Sequence, residues 1–99
     1  MNTIERAKEI RRLILKCINS FGSGHVGGSL SIADILAVLY QDHMRIDPSD
    51  PKKAGRDRFV LSKAHAGPAL YATLVSMGFF DEKELLTLNK LGTKLPSHT

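Results

Sequence analysis

Apolar residues near the start of the chain recur at helical spacing. They fall at Ala7, Ile10, Ile14, Cys17 and Phe21, in steps of three and four. This spacing places them on one face of a helix that runs from Thr3 to Asn19, with charged residues on the opposite side. Asn2 and Glu5 have the spacing of a capping box, and the glycines after the helix predict its end. We therefore predict an amphipathic first helix in which Cys17 is a small core residue.

A second helix is predicted from Ser31 to Leu39 or Tyr40. Ser31 and Asp34 have the spacing of a capping box in which Asp takes the place of Glu. Apolar residues surround this helix almost completely: Ile32, Ala33, Ile35, Leu36, Ala37, Val38 and Leu39. Such a helix is buried on most sides, and 99 residues offer little material to cover it. We expect a partner subunit or the rest of a longer chain to supply the cover.

One segment in the second half has the pattern of a buried strand. Arg58–Ser62 is a short, largely apolar run that follows several turn signals and leads directly into a helical pattern. A run of this kind fits a buried parallel strand better than an edge strand. It is the one strand that the sequence predicts.

Two more helices are predicted after this strand. Pro68 suits the first turn of a third helix, which Gly78 ends. Asp81 and Glu84 have the spacing of a capping box for a fourth helix, which Gly92 ends. The order helix–helix–strand–helix–helix predicts an α/β fold, of which this mostly helical chain is the opening part, with further parallel strands downstream.

Composition places the chain among ordinary globular proteins. It is 42% apolar and 24% charged, which excludes disordered, collagen-like and low-complexity classes. A single cysteine cannot form an internal disulfide, so a reducing compartment is expected. The longest apolar run, Ile35 to Tyr40, is far below the ~20 residues that span a bilayer, and the start lacks a signal-peptide pattern. We expect a soluble, cytoplasmic protein with no membrane partner.

A net charge of +4 suits an anionic partner, such as a phosphate-bearing ligand or a nucleic acid. The basic residues, however, are interleaved with acidic ones along the chain. There is no tryptophan, and the Phe and Tyr residues are scattered, so nothing forms a stacking platform for bases. These features argue against a nucleic-acid partner.

A glycine-rich stretch around His25 is the first candidate for chemistry. Gly22–Gly27 matches G-x-G-x-x-G literally, but a helix precedes it where the dinucleotide fingerprint requires a strand, so we reject that interpretation. What remains is a flexible loop from Ser20 to Ser31. Its glycines would let backbone approach a ligand, and His25 could donate a hydrogen bond or move a proton. A surface loop with a solvated histidine remains an equal alternative.

The second candidate is the loop Ser62–Gly67, which contains His65. It lies between the carboxyl end of the predicted strand and the start of the next helix, where open α/β sheets bind ligands and helix N-termini attract anions. This position favours contact with a phosphate or a sugar hydroxyl over a purely capping role. His43 is interpreted as a helix-end residue. The histidines and Cys17 lack metal-ligand spacing, so no metal site is predicted in this chain.

Four motifs together identify a family. They are Ser23–Gly28, Ile32–Ile35, Arg56–Ala66 and Leu95–His98. In order and spacing, over nearly the whole chain, they resemble the amino-terminal section of transketolase. Val26–Ser29 and Pro68–Tyr71 are closer to the split form, in which two chains share the enzyme. The resemblance implies that residues 1–99 are a partial N-terminal, thiamine-diphosphate-binding domain of a parallel-sheet fold.

The family's activity is implied in the same way. Transketolases use thiamine diphosphate and a divalent metal, here expected to be Mg²⁺, to move a two-carbon ketol unit between sugar phosphates. By motif, His25 would be catalytic and contact the donor sugar, His65 would stand beside the cofactor diphosphate, and His98 would bind the substrate's hydroxyl end. The partners implied are sugar phosphates and a C-terminal transketolase subunit or the remainder of the chain, in an oligomer.

Two features of this chain depart from the family pattern. Ala64 stands where the family usually has glycine before the second histidine, and alanine would be strained if that position needs a positive φ. The family's metal-binding motif is absent from residues 1–99, so the metal ligands are expected outside this chain and the chain alone is expected to be inactive. A relative of 1-deoxyxylulose-phosphate synthase is the enzymatic runner-up. The alternative outside enzymes is a small helical interaction protein that kept this fold without catalysis.

Overall fold

The computed structural model describes residues 1–21 and 26–87. Within those ranges all of the regular secondary structure is helical, and no strand is formed. The α-helices are α1 (Thr3–Phe21), α2 (Val26–Leu30), α3 (Ala33–Val38) and α4 (Gly67–Met77). A π-helical turn, Leu39–His43, continues α3, and two 3₁₀ segments cover Ala64–Ala66 and Glu82–Thr87. None of the helices in this part of the chain is both long and apolar enough to cross a membrane.

Helix α1 forms the base of the core. The predicted capping box is confirmed, because the Glu5 N–H donates to Asn2 Oδ1 at 2.8 Å and the Asn2 N–H donates to Glu5 Oε1 at 3.3 Å. The helix continues to Phe21, two residues past the predicted end at Asn19. Cys17 is fully buried, and burial raises the pKa of its thiol to about 11. Its predicted core role is therefore confirmed.

Helix α3 is only partly covered by the described residues. Leu36 and Ala37 are buried in the core with α1, but Ile35 is 58% exposed and Val38 is 39% exposed. This agrees with the expectation that residues 1–99 offer too little material to cover the helix on all sides. The expected capping box is absent, since Ile32 takes the N-cap position and Asp34 pairs with Arg11 at 2.6 Å.

Helix α4 begins and ends where the sequence predicts. Pro68 lies in its first turn, where a missing N–H removes no helical hydrogen bond. Gly78 follows the last turn with φ at 95°, and its N–H donates to the Val75 carbonyl at 3.0 Å. The Phe79 N–H donates to the Leu74 carbonyl at 2.8 Å, which completes a Schellman-type end. The helix packs against α1 and α3.

The predicted strand Arg58–Ser62 is irregular backbone in the structure. Phe59 packs its ring on Tyr40, with centroids 5.8 Å apart, while Val60 is 86% exposed. A strand needs a neighbouring strand to accept and donate its backbone hydrogen bonds. The described residues provide no such neighbour, and for that reason this prediction of a strand is not met here.

The predicted fourth helix is a 3₁₀ segment as far as it is described. The Asp81 carboxylate accepts a hydrogen bond from the Lys83 N–H at 3.0 Å, so Asp81 does cap this segment. Leu85 is fully buried and joins the segment to the core. The predicted end at Gly92 lies outside the described residues.

Candidate functional site

Of the predicted site residues, the structure describes His65. His25 and His98 lie outside the described ranges, although His25 directly precedes α2 in the sequence. His43, the helix-end histidine, is exposed at the end of the π-helical turn. The candidate site is therefore built from the His65 turn and from the elements that pack against it.

The His65 turn is a single turn of 3₁₀ helix, Ala64–Ala66, directly before α4. The Ala66 N–H donates to the Lys63 carbonyl at 2.9 Å and closes the turn. His65 itself is exposed, whereas Ala66 and Gly67 behind it are buried. Ala64 begins this 3₁₀ turn, a conformation with negative φ.

The glycine-rich stretch is partly helical. The sequence predicts a flexible loop from Ser20 to Ser31, but Ser20 lies in α1 and Val26–Leu30 forms α2. The Ser31 N–H donates to the Gly27 carbonyl at 3.0 Å and extends that turn. A loop over the whole stretch is therefore wrong, because its two ends are held by helical hydrogen bonds.

Ser29 is an unusual residue of α2. It is fully buried, and its hydroxyl has no hydrogen-bond partner among residues 1–21 and 26–87. A buried hydroxyl without a partner costs free energy, so such groups are rare in folded proteins. Ser29 therefore offers a donor and an acceptor that no group in the described part of the chain uses.

Lys63 joins the glycine-rich stretch to the His65 turn. Its Nζ donates to Ser31 Oγ at 2.9 Å. Its Cε lies 3.5 Å from the position that a Cβ on Gly28 would occupy, so the lysine stem lies over bare backbone. The structure thus brings the residues that follow His25 against the turn that carries His65. Sequence spacing alone missed this contact, because Ser31 and Lys63 are far apart in the chain.

The surroundings of His65 suit an anionic ligand. The turn leads into the N-terminus of α4, where Ala66 occupies the N-cap position and provides no side-chain hydrogen bond to the first turn. The positive end of an α-helix attracts phosphate and carboxylate groups. An exposed imidazole beside that end, in a turn that packs against α2, forms a chemically suitable corner for a phosphate-bearing group.

A metal centre has no support in this part of the chain. No group of three His, Cys, Asp or Glu residues lies close enough to hold an ion among residues 1–21 and 26–87. From the sequence, the metal ligands are expected outside residues 1–99.

A separate cleft of about 440 Å³ lies away from the His65 turn. Its apolar lining comes from Tyr40 of the π-helical turn, the irregular segment around Phe59, and α4. Neither Lys63 nor His65 lines it. This cleft is therefore distinct from the corner that the predicted site residues indicate.

Comparison with known proteins completes the description of the site. The family model described as "Transketolase, thiamine diphosphate binding domain" matches residues 3–99. The chain is 56% identical over 93 residues to the 6-deoxy-6-sulfo-D-fructose transketolase subunit SqwG of Clostridium sp. (strain MSTE9), covering 94% of this chain and 34% of that one. It is 38% identical over 99 residues to an apulose-4-phosphate transketolase subunit from Phocaeicola vulgatus, covering 99% of this chain and 35% of the relative.

Human transketolase is 42% identical over 94 residues, which cover 95% of this chain and 15% of the human one. The chain thus spans about a third of the length of the two bacterial subunits and a smaller share of the human enzyme.

Proposed function

Because the chain belongs to the transketolase thiamine-diphosphate-binding domain family, we propose that it forms the N-terminal part of a transketolase that moves a two-carbon ketol unit between sugar phosphates. The match over residues 3–99 carries this proposal. The meeting of the glycine-rich stretch with the His65 turn supports it, since both are motifs through which the chain resembles the family.

Thiamine diphosphate is the proposed cofactor, and when bound it supplies the electron sink for breaking and forming the carbon–carbon bond. The residues present fit its diphosphate. His65 is exposed at the N-terminus of α4, and the buried Ser29 hydroxyl lacks a partner within the described ranges. We assign His65 to the cofactor diphosphate, where its imidazole would donate a hydrogen bond to a phosphate oxygen.

His25 and His98 are the proposed substrate-binding residues. His25 directly precedes α2 in the sequence, and α2 packs against the His65 turn, which supports this assignment. Its imidazole would contact the donor sugar and hold or accept a proton at a ring nitrogen, as a catalytic group does near neutral pH. His98 is assigned to the substrate's hydroxyl end by its motif alone.

Mg²⁺ is proposed as the metal that accompanies the diphosphate. The described residues do not form a site for it, since none of them cluster as a set of three ligands. A hard divalent cation needs several oxygen ligands, so these are assigned to other parts of the assembled enzyme.

The assembled enzyme is proposed to contain a further partner, either a second subunit or the remainder of a longer chain. Two relatives carry the word "subunit" in their names, and the exposed apolar residues of α3 leave a surface for such a partner. In that assembly Arg58–Ser62 becomes the first strand of a parallel sheet, and residues 1–99 form part of one domain. The single buried cysteine fits a cytoplasmic location.

A sulfonated ketose is a second candidate donor. The relative that is 56% identical is named for 6-deoxy-6-sulfo-D-fructose, whose sulfonate replaces the phosphate of a sugar phosphate with another anion. Steady-state kinetics of the assembled enzyme with fructose 6-phosphate and with 6-deoxy-6-sulfofructose would separate the two. A higher kcat/KM for the sulfonated sugar would move the proposal to that substrate.

Calorimetric titration with thiamine diphosphate and Mg²⁺ tests the cofactor assignment. We expect no transketolase activity from residues 1–99 alone, and cofactor binding when the chain is assembled with its partner. In that assembly, His65→Ala should weaken cofactor affinity about ten- to a hundredfold, since hydrogen bonds to charged groups contribute about 1.5–3 kcal/mol. His43→Ala is the matched control, because His43 is also an exposed histidine but lies in a different element.

The interaction-protein alternative makes the opposite prediction. Absence of thiamine diphosphate binding both alone and in the assembly would support it and contradict the proposed enzyme. The family membership of the chain favours the enzyme.

A further inference from the structure

The main chain and the side chain of Lys63 contact different parts of the candidate site. Its main-chain carbonyl accepts the hydrogen bond that closes the His65 turn, from the Ala66 N–H at 2.9 Å. Its side chain extends in the other direction and donates from Nζ to Ser31 Oγ at 2.9 Å. One residue therefore belongs to the turn that carries His65 and also reaches the end of the glycine-rich stretch.

The contact continues through Ser31 into the backbone of α2. Ser31 Oγ donates to the Gly28 carbonyl at 2.9 Å, so the order of donors runs from the ammonium to the hydroxyl to the peptide oxygen. The two end groups fix this direction, because an ammonium can only donate a hydrogen bond and a carbonyl can only accept one. The lysine stem also lies over Gly28, 3.5 Å from where a Cβ would stand.

The charge of Lys63 has no carboxylate partner among residues 1–21 and 26–87. The ion pairs in that part of the chain involve Arg11, Arg12, Lys16 and Arg45. Lys63 and Ser31 are both exposed, so their hydrogen bond contributes little to global stability. The contact joins two site segments from distant parts of the chain. Its main effect is therefore on the relative position of those segments and not on global stability.

We propose that Lys63 is a positioning residue, which holds the segment after His25 at a fixed distance from the His65 turn through the hydrogen-bonded path Lys63–Ser31–Gly28. This inference rests on the proposed function, in which the two histidines contact substrate and cofactor. Loss of the path lets α2 shift relative to the turn, and misplacement of reacting groups by about 1 Å can lower turnover as much as a hundredfold.

Two variants break the path at different points in the assembled enzyme. Lys63→Met keeps an unbranched apolar stem and removes the donor, while Ser31→Ala removes the central hydroxyl. Each should lower kcat about tenfold while thiamine diphosphate affinity and donor KM change less than about threefold, the pattern of a group that acts on the transition state. Lys63→Arg should recover most of the activity, because the guanidinium still donates to Ser31.

Non-additivity distinguishes a shared path from two separate roles. If the two residues act together, the double variant should be no slower than either single variant. Lys8→Met is the matched control, because Lys8 is an exposed lysine on α1 away from the site, and its kcat should stay unchanged. Backbone amide exchange at residues 28–32 should accelerate equally in Lys63→Met and Ser31→Ala, which provides a readout independent of turnover.

The outcomes separate this inference from the proposed function. Unchanged kcat and amide exchange in both variants, or effects that multiply in the double variant, would overturn the positioning role while leaving the enzyme assignment intact. An assembled wild-type enzyme that fails to bind thiamine diphosphate would overturn the proposed function and this inference together.

Discussion

Two buried hydroxyl groups in the core differ in whether they have a hydrogen-bond partner. Thr73 Oγ1 donates to the Ala69 carbonyl at 2.8 Å, while the Ser29 hydroxyl has no partner among the residues that the structure describes. Ser29→Ala should therefore raise the free energy of unfolding by up to about 1 kcal/mol, because it removes a desolvated polar group. Thr73→Val should lower it by about 1 kcal/mol, because a satisfied hydrogen bond is lost. Urea unfolding of the two variants measures both values.

The same serine has the opposite expected effect on ligand binding. If Ser29 donates to the bound cofactor, Ser29→Ala stabilises the unloaded protein and weakens thiamine diphosphate affinity in the assembled enzyme. Residues kept for function at a cost in stability show this pattern. A loss of stability in Ser29→Ala would show that the hydroxyl already has a partner and would contradict the argument.

At the scale of the element, the end of α4 depends on one glycine. Gly78 has φ at 95°, a conformation in which an L side chain is strained, although a Cβ there would meet Pro48 at an ordinary 3.7 Å. Gly78→Ala should therefore lower stability by about 1–2 kcal/mol through backbone strain alone. Gly27→Ala is the matched control, because its φ is not positive and nothing lies within 4 Å of the added Cβ. Equal thermal unfolding of the two variants would contradict this explanation.

The features that the sequence predicts correctly depend only on residues close together in the chain. The Asn2–Glu5 capping box and the Gly78 helix end involve residues within a few positions of each other, and both occur as predicted. The outer face of α3 and the strand at Arg58–Ser62 depend on what packs against them, and local pattern carries no information on that. The Lys63–Ser31 contact was not predicted for the same reason, since only the fold brings those two residues together.

The contact between α1 and the 3₁₀ segment Glu82–Thr87 should depend on pH. Hydrogen bonds from Lys16 and Arg12 hold the pKa of the Glu82 carboxyl below its usual 4.5. A carboxyl with a lowered pKa in the folded state stabilises that state above pH 4.5, and the contribution is lost as the pH falls through the folded value. The effect is small, because all three side chains are exposed and screened by solvent.

Glu82→Gln tests this dependence. The variant should be slightly less stable than wild type at pH 7, and the difference should vanish at pH 3 and shrink in high salt. Unfolding curves at both pH values provide the measurement, with Glu5→Gln as a contrasting change at the α1 capping box. A difference that persists at pH 3 would show that Glu82 stabilises by packing instead of charge.

At the scale of the whole molecule, the exposure of Val60 shows whether another part of the protein covers the irregular segment Arg58–Ser62. It is 86% exposed, beside a cleft that it lines together with Phe59 and residues of α4. The two bacterial relatives are about three times as long as their match to this chain, which leaves residues to cover such a face. If Arg58–Ser62 is the first strand of their sheet, Val60 passes from solvent into a core when the domain is completed.

Val60→Asp distinguishes the two environments. In residues 1–99 the change should alter the free energy of unfolding by less than about 0.5 kcal/mol, as for other exposed positions. In the completed domain it would bury a charge without a partner and should cost at least about 3 kcal/mol. Ile10→Ala is the control, because Ile10 is fully buried already and should cost about 2–5 kcal/mol in both forms. Equal, small effects of Val60→Asp in both forms would mean that the segment stays at the surface and that no sheet is built upon it.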